Sequence, residues 1–563
     1  MVDLEGAPGN ECGKLWIKQA QDLTSMAVVE AVEVKSFVGR WKVIKTRLEL
    51  LSLQLAELAD APCFKEHALS TELLESVVSS LKEARELAKL CTDLTYGGKL
   101  QMQSNLDSLA TKLNLYFRDC QLMIKSGMLR ENAPVLSKSS SGAAKEAVKW
   151  SVNDLLARLQ IGSVDSKIKA LTTLIVLMNE DDKIIIMVAA QGGIPPLVRL
   201  LDASIPVMRE KAAVAICSLA TVDNFEQRLL MEGALAPMVR LLESGSALAN
   251  EKAAMTLQCL THILDYGRYV ASHGGIPALL ETCRTGTPGA QAAAAGSLRN
   301  LSLIPEIREC MSEEGAISVL LYLISSGTAL CREHAAATLQ NLSQNSEYWQ
   351  QLIVSQGGIS PLLRFLDVSD DPVGQEVGIG VLRNVAASSA NIETLLSEGI
   401  VQQLAGFLVN SSHMVQEAAA AIVCSIGTST KIRKSIAEAG CIPPLLKMLD
   451  AKTNTAQEYA IQALSSLFLV DSNRKLFLAE KSGVADIVQL LDSHNQITVD
   501  SAVSALNSLA GSGKCRKRMV SAGACCYLER LAGKRTLGTK KLLEQLGGGR
   551  IRSMLKKLDL LDR

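Results

Sequence analysis

The stretch GGIPPLVRLL at 192–201 returns, with variations, along most of the chain. It reads GALAPMVRLL at 233–242, GGIPALLETC at 274–283, GAISVLLYLI at 315–324 and GGISPLLRFL at 357–366. GIVQQLAGFL at 399–408, GCIPPLLKML at 440–449, GVADIVQLL at 483–491 and GACCYLERL at 523–531 complete the series. Anchored on Gly193, Gly233, Gly275, Gly315, Gly358, Gly399, Gly440, Gly483 and Gly523, the copies are spaced by 40, 42, 40, 43, 41, 41, 43 and 40 residues. A further copy lacking its glycine fits at about 150–191. Self-similarity at such a period marks a stack of repeated units, none of which buries its apolar face alone.

Each copy has a physical reading. A short helix, as in Phe225–Met231, ends at a glycine that adopts the left-handed conformation other residues resist. Proline then suits the first turn of a second helix, whose early N–H groups lack partners anyway (Pro195, Pro277 and Pro443). The LVRLL-type stretch is that helix. A polar break such as Leu201-Asp202-Ala203-Ser204 follows, and an alanine-rich third helix, as in Arg209–Ala220, closes the unit. Composition agrees. Hydrophobic residues make up 48% of the 563 but aromatics only 4%, a helix-former's palette that argues against a β-sandwich or barrel. Only 14 prolines interrupt the chain.

Lys+Arg and Asp+Glu are both 58, so the net charge is zero and nucleic acid is not the expected partner. No stretch of about 18 apolar residues would span a bilayer, and the start MVDLEGAPGNE has neither a secretory pattern nor a myristoylation glycine. Fourteen cysteines without a CxxC read as reduced, mostly buried thiols, which places the chain in the cytosol or the nucleus. The six histidines are dispersed, no nucleophile elbow, dinucleotide fingerprint or phosphate loop occurs, and no cofactor, metal or small-molecule substrate is expected.

Three helices per roughly 41 residues, with the phrase G-x-I-P-x-L-v-x-L-L followed by A-a-x-x-L-x-N-L, resemble armadillo repeats. HEAT repeats usually lack this glycine. The resemblance covers about 150–535 and implies an all-α, right-handed superhelix of nine to ten repeats. It also implies that the third helices line a concave groove. Counting 25 or 26 residues from each glycine reaches Ser218, Cys259, Asn300, Asn341, Asn384, Ser425, Ser466 and Ser508. Asn carries a donor and an acceptor on one side chain. By resemblance, Asn300, Asn341 and Asn384 form the ladder with which armadillo proteins hold an extended protein segment. Arg299, Gln340 and Arg383 precede them, and the two arginines suit acidic segments. The alternative is that these Asn side chains brace neighbouring repeats. Importin-α-type receptors carry Trp four residues before the ladder Asn. Here that position holds Val214, Met255, Gly296, Ala337, Gly380, Ala421, Gln462 and Ser504, so the slots that grip lysine stems are missing.

Residues 1–130 follow heptad-like stripes instead. Phe37, Trp41, Ile44, Leu48, Leu51, Leu55 and Leu58 form one. Leu74, Val77, Val78, Leu81, Leu87 and Leu90 form another, and Met102, Leu106, Leu109, Leu113, Tyr116, Cys120 and Met123 a third. With a helix near Leu15–Val34 they make a bundle of about four helices, which either caps the array or offers a second docking surface. The phrase LKEARELAKLCTDLTYGGKL at 81–100 resembles the N-terminal domain of plant U-box/armadillo proteins, but no U-box motif follows. Residues 131–147 read as a Ser/Lys linker, 148–535 as the repeats and 536–563 as a basic cap. Residues 511–563 hold 14 Lys/Arg against 4 Asp/Glu, with Lys514, Arg516, Lys517, Arg518, Lys534, Arg535, Lys540 and Lys541 at their centre. This patch is either a solvated face or a contact for anionic lipid, nucleic acid or an acidic protein segment. The expected function is a non-catalytic scaffold or adaptor that binds proteins. The alternatives are a ubiquitin-pathway accessory without its own U-box and a peripheral membrane tether.

Overall fold

The computed structural model describes residues 9–61, 68–125, 141–222, 225–369, 371–410, 412–451, 453–478, 483–533 and 538–547. Among them all regular structure is helical, and no single helix is long and apolar enough to cross a membrane. The chain divides into two compact units, Met1–Leu260 and Thr261–Arg563.

The first unit opens with α1 (Gly9–Glu33), α2 (Val38–Ala59), α3 (Ala68–Asp93) and α4 (Lys99–Lys125). The stripes read from the sequence become their shared core: Trp41, Ile44, Leu48, Leu74, Leu81, Leu106, Leu109 and Leu113 are all buried. Three stripe residues sit at its margin. Phe37 precedes α2 at φ 56°, its ring 5.4 Å from that of Tyr96. The Tyr116 hydroxyl meets Ser80 at 3.0 Å, and Leu90 is exposed. Ion pairs Arg85–Glu30 (2.6 Å) and Lys112–Glu83 (2.7 Å) tie α3 to α1 and α4.

The next helix, α5 (Ser141–Ile161), begins within the stretch read as linker. Its Ala157 enters the bundle core, and it also packs on α6 (Val164–Glu180), the first third-type helix. The bundle therefore covers the start of the repeats, which an array with an exposed apolar end requires. Burial pushes the Asp119 carboxyl on α4 up to about 7, and Lys167 on α6 partly opposes that rise.

The repeats follow in both units, but their glycine register differs from the sequence reading. Positive φ falls on Gly192, Gly274 and Gly357, the first of each glycine pair, and on the single Gly233, Gly315, Gly399, Gly440 and Gly523. Successive left-handed glycines from Gly192 to Gly440 are therefore 41, 41, 41, 42, 42 and 41 residues apart. The irregular spacings come from anchoring on Gly193, Gly275, Gly358 and Gly483, none of which has a positive φ. The second glycines of the pairs answer a different need: a Cβ at Gly193 or Gly275 would lie 2.6 or 2.3 Å from Val188 or Val270 Cγ1, and one at Gly358 2.8 Å from Ile353 Cγ2. Ala, Ile or Cys takes that place in the single-glycine copies.

Each joint within a repeat is also closed by a polar side chain. Seventeen residues after the left-handed glycine, eighteen in one repeat, stands Arg209, Asn250, Gln291, Arg332, Gln375, Gln416 or Gln457. Each donates to a carbonyl in the last turn of the second helix or just past its end, as Asn250 does to Leu242 O (2.7 Å) and Gln457 to Ala451 O (2.9 Å). First-helix residues do the same for the end of the preceding third helix. Arg308 reaches Ser302 O, Gln350 reaches Ser343 O, Arg433 reaches Gly427 O and Arg516 reaches Ala510 O. Terminal helix carbonyls lack intrahelical partners, so these donors hold the chain at each corner.

The glycine geometry gives a paired test. Gly274→Ala forces a side chain to φ +78° and is expected to cost about 1–2 kcal/mol. Gly406→Ala lies in the exposed interior of Ile400–Leu408 with nothing within 4 Å of the new carbon, and should gain up to about 1 kcal/mol. Thermal midpoints of the two variants should move in opposite directions.

Candidate functional site

The third helices of the second unit pack side by side: Pro288–Leu301, Ala329–Ser343, Pro372–Ala386, His413–Ile426, Asn454–Leu467 and Gln496–Leu509. Buried alanines dominate their inner faces, as at Ala292–Ala295 and Ala418–Ala421. The predicted ladder residues occupy one register on these helices and are half-buried.

Their amides face backwards along the array. Asn300 Nδ2 donates to Thr261 Oγ1 (3.2 Å) and Asn341 Nδ2 to Ser302 Oγ (2.9 Å). Asn384 Nδ2 donates to Ser343 Oγ (3.1 Å) and to Gln340 O (3.2 Å). The acceptor hydroxyl lies two residues after the preceding ladder position each time. Ser302 and Ser343 in turn donate to Arg299 O (2.6 Å) and Gln340 O (3.2 Å). Because those hydroxyl protons are engaged, the serine oxygens can only accept from Asn, which fixes nitrogen as the inward atom. The donor thus ties the repeats together, as the bracing reading expects, and Oδ1 of Asn341 and Asn384 has no hydrogen-bond partner among the described residues. Serine is too short for this. Ser218, Ser425 and Ser508 bond back to their own helices, and only Ser466 reaches the previous repeat, at Gly427 O (3.3 Å).

The flanking residues behave differently from one another. Arg299 is exposed and Arg383 half-buried, and neither forms an ion pair among the described residues. Gln340 folds over the next third helix, where a Cβ at Gly380 would collide with its amide. Next to Arg299, His334 is buried; desolvation first, and the Arg299 charge second, pull its pKa from 6.5 down to about 4.

A second inter-repeat ladder escaped the sequence reading. Third-helix carboxylates accept from the residue at the head of the next third helix: Glu210 from Ser246 (2.5 Å), Glu376 from Ser412 (2.5 Å), Glu417 from Thr453 (2.6 Å) and Glu458 from Asn495 (2.7 Å). Its signal in the sequence is a carboxylate eight residues before every ladder position except Asn300, where Ala292 stands.

In the basic C-terminal patch, Lys514 and Lys517 are exposed and Arg518 half-buried on Gly513–Ser521. Lys540 and Lys541 are exposed on Thr539–Leu546, which packs against that helix. Arg516 is instead engaged by Ala510 O and Gly511 O, and Lys534 and Arg535 lie outside the described residues. Leu542 and Leu543 are buried, so Thr539–Leu546 closes the last repeat.

Two measurements probe this arrangement. Ser343→Ala and Asn384→Ala should each lower stability by about 1 kcal/mol, since both break one inter-repeat junction, and the double variant should cost little more than either alone. His334 sets a pH dependence. Between pH 6.5 and about 4 the unfolded chain takes a proton that the folded chain refuses. Stability should therefore fall as pH drops through that window, and His334→Gln should flatten the fall in a series of thermal melts.

Comparison with known proteins agrees with this geometry. Residues 292–476 match the plant U-box protein ARM repeat region, 181–221 the armadillo/beta-catenin-like repeat, and 18–128 a domain of unknown function, DUF7032. No U-box is detected. An engineered protein solved by crystallography, a target of the Northeast Structural Genomics Consortium, superposes with a TM-score of 0.59 at 24% identity. The match covers 71% of this chain and 100% of that one, and at such identity the likeness shows the fold alone. The search of curated proteins gives no match. Period, left-handed glycines, stacked third helices and these matches concur: residues 181–221 and 292–476 carry armadillo-type repeats, a fold that generally serves as a non-catalytic scaffold for protein binding.

Proposed function

We propose that the chain is a scaffold that holds an extended segment of a protein partner along the third helices of its second unit. Asn300, Asn341 and Asn384 grip the partner's backbone, while Arg299 and Arg383 favour acidic side chains beside it. The observation that carries this reading is the pinned amide of Asn341 and Asn384. With nitrogen tied to the preceding repeat, the retained acceptor Oδ1 is held in one orientation and suits a backbone N–H. Two arginines with no ion pair among the described residues, each next to a ladder Asn, add a reason for an acidic partner. Ordering an acceptor row in advance lowers the entropic cost of binding.

The reading places no catalysis in the chain. Among its alternatives, the ubiquitin-accessory role draws support from the match of 292–476 to repeats of plant U-box proteins. In that case the groove would recruit a substrate for a separate ligase. The free thiols among the described cysteines suit the cytosol or nucleus, which we propose as the location.

A photo-cross-linking amino acid at Leu303, exposed just beyond the Asn300 helix, tests the groove against the same group at Tyr322, exposed on a second helix. Partner adducts should form at 303 and not at 322. They should drop about tenfold in Arg299→Glu/Arg383→Glu, a variant that leaves the bracing amides intact. Adducts only at 322, or adducts at 303 that ignore the charge reversal, would refute the groove.

A further inference from the structure

At one junction of the second unit the carboxylate ladder meets a second carboxylate. At four other junctions a third-helix Glu accepts a hydrogen bond from a Ser, Thr or Asn at the head of the next third helix. At the repeat carrying Glu333 the next helix, Pro372–Ala386, is headed by Asp371. That carboxylate has no proton to donate; its Oδ2 instead accepts from Gly374 N (2.9 Å). Glu333 has no ion pair or hydrogen-bond partner among the described residues. Two anions therefore line one junction where those four have a donor and an acceptor.

The same junction opens into a cleft of about 560 Å³. Leu330, Phe365 and Val368 supply apolar walls, and Glu333 and Asp371 supply charge. Arg332 also lines it, with its Nε held by Gly327 O (2.8 Å). The cleft lies at the loop that gives this repeat its extra residue. Leu330 and Val368 are 49% and 67% exposed, so the apolar wall is open to a partner. The register continues beyond it: Val373 and Met414 stand where Leu330 does, each eleven residues before a ladder position, and are half exposed. Eleven residues is close to three helical turns, so this row shares the Asn face roughly 16 Å away.

We propose that this cleft seats an arginine or lysine side chain of a protein partner. The cationic head bridges Glu333 and Asp371, replacing the donor that those four junctions carry, and the aliphatic stem lies on Leu330, Phe365 and Val368. Neighbouring residues of the same segment run along Val373 and Met414. Packed helices are about 8–10 Å apart, and an extended polyproline-type segment advances about 9 Å in three residues. The complementary pattern is thus a basic residue followed by apolar residues at every third position. This site stands apart from the asparagine row and does not depend on it.

The probe is a fluorescein-labelled nonapeptide, Arg-Pro-Ser-Leu-Pro-Ser-Leu-Pro-Ser, titrated with the full chain and read by anisotropy. Its controls carry Glu in place of Arg, or Gly in place of both Leu. The Arg peptide should bind about tenfold more tightly than either control. Glu333→Gln/Asp371→Asn, in which Asn keeps the helix cap, should bring the Arg and Glu peptides within about twofold of each other. Leu330→Ser should weaken all apolar-containing peptides, and Asn341→Ala/Asn384→Ala should change nothing here even if it abolishes groove binding. No preference for Arg in the wild type, or a preference that survives loss of both carboxylates, overturns the proposal. Hydrogen exchange on the wild-type complex supplies a second reading, with protection expected at 329–333 and 365–374 and its absence there counting against the site.

Discussion

The array rests on how it treats the ends of its helices. A unit of about 41 residues with three helices creates a C-terminus every dozen or so residues, and each leaves carbonyls without intrahelical partners. Left unpaired in a packed stack, such groups would each cost on the order of 1–3 kcal/mol. This chain meets the requirement with three recurring devices. A left-handed glycine ends the first helix, and a polar side chain on the third helix holds the end of the second. An Arg, Gln or Asn on the following first helix holds the end of the third. The corners are thereby fixed one by one.

That use of polar groups shapes what remains for binding. Asn384 shows the economy: its nitrogen closes a junction with Ser343 and Gln340, and its oxygen does not. Arg516 shows the opposite case, a cation in the basic patch whose guanidinium is turned to two carbonyls of the chain itself. Charge on a helix face is therefore a poor guide to a binding surface until the carbonyls around it are accounted for. Arg299 and Arg383, which hold no helix end, are better candidates than their more numerous C-terminal counterparts.

Fold and ladder register were legible because both are periodic. The stripes of α2 to α4 step by three and four and became a buried core, and the ladder positions lie on equivalent third helices. What was not legible depended on contacts between copies. Glycine pairs hid their register because two adjacent glycines serve two purposes, backbone φ at Gly274 and side-chain clearance from Val270 at Gly275. A string of letters does not say which is which. Bracing by Asn was legible only as an alternative, because deciding it needed the hydroxyl two residues beyond the previous ladder position, a partner about 40 residues away. The start of α5 was missed because the serines and lysine of 137–141 look like a tether, whereas a helix that docks on both bundle and repeat gains its stability from that packing rather than from local preference.

Where a repeat obeys every rule of its neighbours, its polar groups have internal partners and little chemistry is left over. Departures from the rule are then the informative places. The asparagines occupy only three of the equivalent positions, although serine or cysteine folds as well in the others, so bracing alone does not explain their confinement to adjacent repeats. The junction at Glu333 departs further. It has an extra loop residue, a carboxylate where a donor belongs, and glycine at 374 where a Cβ would press on the Phe365 ring at 3.2 Å. Each change by itself is a small loss to the stack. Together they leave an anionic, apolar-walled opening that no described residue fills, and in our proposal a cation brought by another protein supplies there the hydrogen-bond donor that four other junctions carry in the chain itself.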